Sequence, residues 1–97
     1  MSKRVRRMGM AQKATIEVMD DADEHSTAAR FAERAHAEHV AADGTETYVY
    51  SSGRVDITLR PDVYAAHVID MLELFGGKID HSWYDSEQRK IITVSFQ

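Results

Sequence analysis

Ninety-seven residues, 43% hydrophobic and 29% charged, describe one small globular domain and exclude a wholly disordered chain or a collagen-like fibre. With no cysteine, the chain forms no disulfide, thiolate nucleophile or cysteine-ligated metal centre. The formal charge of −4 is divided unevenly: five of 12 basic residues precede position 14, all 16 acidic ones follow it, and residues 14–97 carry about −9.

Residues 1–12 show no hydrophobic periodicity and read as a disordered basic arm, with residues 13–97 as a single α+β domain. Lys3, Arg4, Arg6 and Arg7 in the arm are the part of the chain suited to phosphates, whereas the acidic body repels them, so direct nucleic-acid binding is not expected elsewhere. No apolar h-region follows the arginines, so the arm does not read as a secretory signal. No apolar run approaches the roughly 20 residues of a membrane span. The expected location is cytoplasmic.

From Lys13 to Met19, Ala14, Ile16 and Val18 alternate with Thr15 and Glu17, the pattern of a half-buried strand. Asp20, Asp21, Asp23 and Glu24 then form an acidic cluster before a helical pattern, with Asp23 or Ser26 as the expected N-cap. The first helix is expected over residues 24–42, its apolar side mostly alanine with Phe31, His36, His39 and Val40, ending at Asp43-Gly44.

A hairpin follows, with Ser52-Gly53 read as a two-residue turn between Glu46–Ser51 and Arg54–Leu59. That register sets Tyr50 against Val55 and Tyr48 against Ile57 on the apolar side, and Val49 and Asp56 on the other. Pro61 opens the second helix and Gly76-Gly77 closes it, with Tyr64, Val68, Met71, Leu72 and Phe75 in one arc. Strands Lys78–Tyr84 and Arg89–Phe96 complete the chain, with Ile79, His81 and Trp83 set against Val94, Ile92 and Lys90.

The order β-α-β-β-α-β, with an extra C-terminal strand, matches the ferredoxin-like split β-α-β arrangement. Right-handed crossovers place both helices on one face of an antiparallel sheet. The other face then carries Thr15, Glu17, Val49, Asp56, Thr58, Ile91 and Thr93. Tyr48 and Tyr50 face the core in this register, which argues against base stacking on the sheet.

The histidines supply the remaining chemistry. Glu33-x-x-His36-x-x-His39 has a spacing metals accept, and His81 falls on the inner face. Histidines buried against backbone or a hydroxyl account for the same residues, so no metal or cofactor is assigned. The acidic cluster lacks the glycine and spacing of a calcium loop and is read as capping and surface charge. Residues 25–33, His25-Ser26-Thr27-Ala28-Ala29-Arg30-Phe31-Ala32-Glu33, resemble the start of the active-site helix in the histidine phosphocarrier family. The arginine and proline that follow that family's histidine are missing here, and the match does not place the chain in the family.

The expected function is therefore a non-catalytic protein-interaction domain that forms a homodimer or binds a protein partner through a sheet face or edge. Val49, Asp56, Thr58, Ile91 and Thr93 are the candidate contacts. Two alternatives stand beside it. One is a phage-type acidic inhibitor that imitates nucleic acid through Asp20, Asp21, Asp23 and Glu24; the other is a histidine-based enzyme or phosphocarrier.

Overall fold

The computed structural model describes residues 6–7, 14–19 and 21–96. Eight elements follow in order: β1 (Arg6–Arg7), β2 (Thr15–Val18), α1 (Thr27–Ala37), β3 (Glu46–Val49), β4 (Arg54–Thr58), α2 (Ala65–Phe75), β5 (Gly77–Tyr84) and β6 (Lys90–Phe96). The strands form one mixed sheet in the order β1-β2-β3-β4-β6-β5, so the fold is α+β.

That order differs from the ferredoxin-like one. β2 and β3 are parallel immediate neighbours, joined over the sheet by α1. Only the second half is split: β4 and β5 each pair antiparallel with β6, which lies between them, and α2 bridges the gap. A chain order alone does not say whether a third strand enters between the two strands of a β-α-β unit. Of the basic arm, Arg6 and Arg7 pair antiparallel with Val18 and Glu17, where no structure was expected. The rest of the arm, including Lys3 and Arg4, lies outside the described residues.

α1 starts at Thr27, three residues later than expected, with Ser26 rather than Asp23 as its cap: the Ser26 hydroxyl accepts from the Ala29 amide at 3.2 Å. It ends five residues earlier than expected. His39 adopts φ 59°, its amide donates to the His36 carbonyl, and the Val40 amide donates to the Ala35 carbonyl. This is a Schellman closure with histidine in the left-handed position usually taken by glycine. Of the two histidines placed on the apolar side, the stop leaves His36 buried and His39 exposed.

The core also shifts relative to expectation. α1 buries Ala28, Ala29, Phe31, Ala32, Ala35 and His36, while α2 buries only Val68, Met71 and Leu72. Small alanines let α1 lie close over β2, β3, β4 and β6, and Phe31 meets the Phe75 and Phe96 rings at 6.0 and 5.1 Å. α2 lies over the end of the sheet, against β5 and α1, and its outer flank is exposed. α2 opens at Ala65 and not at Pro61, which lies in the turn before it; Tyr64, expected in its buried arc, is the N-cap and is 82% exposed.

Candidate interaction surface

The hairpin loop determines which residues the open face presents. The Tyr50 amide donates to the Arg54 carbonyl at 2.9 Å and the Gly53 amide to the Tyr50 carbonyl at 3.1 Å, so the loop is Ser51-Ser52-Gly53. Val49 pairs with Val55 and Tyr48 with Asp56. One extra loop residue turns β3 over relative to the expected register. Val49 is consequently fully buried under the helices and is not a surface contact. Tyr48 lies on the open face instead, beside Glu17 of β2 in register.

A bulge does the same for β5. Ile79 pairs with Val94 as expected, but the register slips at Asp80, so His81 pairs with Thr93 and Trp83 with Ile91. His81 and Trp83 therefore share the open face with Thr93 and Ile91, their rings stacked at 5.3 Å. His81 has thus left the inner face expected for it.

The middle of the open face is polar and closed upon itself. Asp56 accepts from Arg54 at 2.9 and 3.2 Å and from the Thr93 hydroxyl at 2.7 Å. Burial raises its pKa, but these bonds outweigh burial and hold the carboxyl below its usual range. Arg54 also caps the Tyr50 ring at 4.7 Å, and burial raises the Tyr50 phenol. The Tyr48 phenol donates to Glu46, which with burial pushes its pKa up to about 12. Thr58 and Thr93 are 7% and 1% exposed, and Ile91 is half-buried between Thr58 and Trp83 in register. Of the expected contacts, Asp56, Thr58, Ile91 and Thr93 thus lie on the open face, but mostly as its interior. The tyrosines occupy the face a base-stacking platform needs, yet they stand among Glu17, Glu46 and Asp56.

The other candidate groups do not converge. His36 Nε2 lies 2.7 Å from the Thr47 hydroxyl in the core, and Nδ1 finds no hydrogen-bond partner among the described residues. Burial lowers its pKa to about 4, so the ring is neutral. Glu33 and His39 are exposed, and no metal-holding group of three acidic or histidine residues occurs among the described residues. His25 is exposed and its amide donates to the Asp23 carboxylate at 2.8 Å, a turn ahead of the helix. Asp20 lies outside the described residues, Asp21 has φ 65° and is exposed, and Glu24 is half-buried. His67 faces Glu38 at 2.9 Å across a shallow cleft of about 380 Å³ that His39 and Tyr64 also line.

The exposed apolar side chains are concentrated elsewhere. Tyr64, Ile69, Leu74, Ile79, Trp83 and Tyr84, the large hydrophobic residues exposed among those described, all belong to α2, its N-cap or β5. β5 ends the sheet, so among the described residues one of its edges has no neighbouring strand, and every residue from Lys78 to Tyr84 is exposed. The sequence shows these residues but not their exposure, because a helix and strand rich in apolar residues also describe a core. No helix among the described residues is long and apolar enough to cross a membrane. No protein-family model, curated protein or solved structure matches the chain.

Proposed function

We propose that this chain is a non-catalytic protein-interaction domain whose binding surface is the β5 edge with the flank of α2 above it. One observation carries the reading: among the described residues, the exposed large hydrophobic side chains gather on the unit that also ends the sheet with an open strand edge. An exposed edge of this length offers a row of unpaired amides and carbonyls to another chain. No three histidines or carboxylates gather among the described residues, His36 is held in the core by Thr47 and His67 faces Glu38, which favours binding over catalysis.

Multi-angle light scattering of the wild type, together with capture from native lysate, tests the reading against Ile79→Lys, whose side chain is 44% exposed. Association with itself or with a partner is expected, and the substitution is expected to abolish it while leaving the melting temperature nearly unchanged. A wild type that stays monomeric and captures nothing sinks the reading.

A further inference from the structure

We infer that the occupant of the β5 edge is a second copy of the same chain, joined antiparallel about a two-fold axis at Ile79; this inference rests on the reading above. The argument is charge complementarity along the strand. Lys78 pairs with Ser95, and the Asp80 carboxylate accepts from the Ser95 hydroxyl at 3.1 Å, so both charges lie on the face away from the helices. A two-fold axis at Ile79 sets Lys78 opposite the partner's Asp80, and the symmetry repeats that pair. Moving the axis one residue toward Gly77 opposes Lys78 to its own copy. Moving it one residue the other way opposes Asp80 to its own copy. Like charges directly opposite disfavour both shifted registers.

The helical side agrees with this choice. Ile79 faces that side with Val94 as its register partner, and the symmetric pairing brings it against the partner's Ile79. On α2, His67 marks the flank turned toward α1 through its contact with Glu38. Ile69 lies about 100° away from Val68 on the opposite flank, toward the open edge, and is 46% exposed. The bulge at Asp80 increases local twist and blunts the edge for arbitrary strands, so the charge pair supplies specificity on an edge otherwise guarded against pairing.

The chain has no native cysteine, which makes the register directly readable. Opposed residues of an antiparallel pair have Cα atoms about 4.5–5.5 Å apart, within disulfide range. Under mild oxidation Ile79→Cys is expected to form a covalent dimer, and Ser52→Cys, at the exposed hairpin tip, is not. Lys78→Asp alone is expected to weaken self-association at least about tenfold, and adding Asp80→Lys in the same chain to restore it. A dimer that Ile79→Lys dissolves, but that neither cross-links at position 79 nor recovers in the double variant, overturns this pairing and leaves the interaction reading standing. A monomer that captures a lysate protein through the same edge likewise overturns the second-copy occupant alone. A monomer that captures nothing overturns both.

Discussion

His36 illustrates how one buried side chain makes stability depend on pH. Burial depresses its pKa to about 4, against about 6.5 in the unfolded chain. Above about pH 6.5 the ring is neutral in both states and stability is unaffected. Between about 6.5 and 4 the unfolded chain binds the extra proton, so stability falls with pH, by up to about 3 kcal/mol. Asp56, whose pKa is depressed, contributes stability that is lost only as pH falls further, through its folded value. Urea midpoints measured from pH 7.5 to 4 are expected to show the histidine slope in the wild type and to lose it in His36→Leu. That variant is also expected to be less stable at neutral pH by about 1–3 kcal/mol, because the buried Thr47 hydroxyl loses its partner. An unchanged slope in the variant refutes the assignment. Gly53 is constrained by its backbone instead: at φ 87° a Cβ would meet the Phe96 carbonyl oxygen at 2.7 Å. Gly53→Ala is expected to lower stability by more than about 1 kcal/mol, read from the same urea midpoints.

At the scale of elements, the alternation in β2 and the apolar spacing of α1 and α2 were enough to locate strands and helices, and Ser26 was readable as a cap. What they could not supply were the offsets between elements. A two-residue and a three-residue loop at Ser52-Gly53 are both compatible with apolar residues in β3, because Tyr48, Val49 and Tyr50 form a continuous apolar run that offers either face. The bulge at Asp80 and the left-handed His39 have no residue signal of the kind glycine gives. The relative weight of the helices was likewise illegible, since large side chains in α2 suggested a core that small ones in α1 form. Truncation distinguishes the two. Phe31→Ala is expected to cost about 3–5 kcal/mol, and Phe75→Ala clearly less, because Phe75 is only half-buried. Ala32→Leu, at 0% exposure, is expected to cost about 1–3 kcal/mol by forcing α1 off the sheet. Denaturant titration of the three variants checks the order, and equal losses for the two phenylalanines would contradict it.

The whole molecule has two sheet edges managed in opposite ways. At one end the two-residue β1 covers β2, and a strand this short offers a new chain little to pair with. At the other end no strand among the described residues covers the eight-residue β5. If β1 serves as a cover and β5 as a contact, removing each has a different consequence. Deleting residues 1–7 takes away the strand paired with Glu17 and Val18, both of them buried, and uncovers the edge of β2. Losing about 1 kcal/mol of ladder and burial in a domain of this size lowers the melting temperature by roughly 4–8 °C. The deletion leaves β5 intact, so the dissociation constant is expected to stay within about twofold of the wild type once the variant is folded. Ile79→Lys is expected to do the reverse, sparing the melting temperature and abolishing association. Calorimetry and sedimentation on both proteins separate the two effects. A deletion that dissolves the assembly would move the contact surface to the β1 end, where the basic arm enters the sheet.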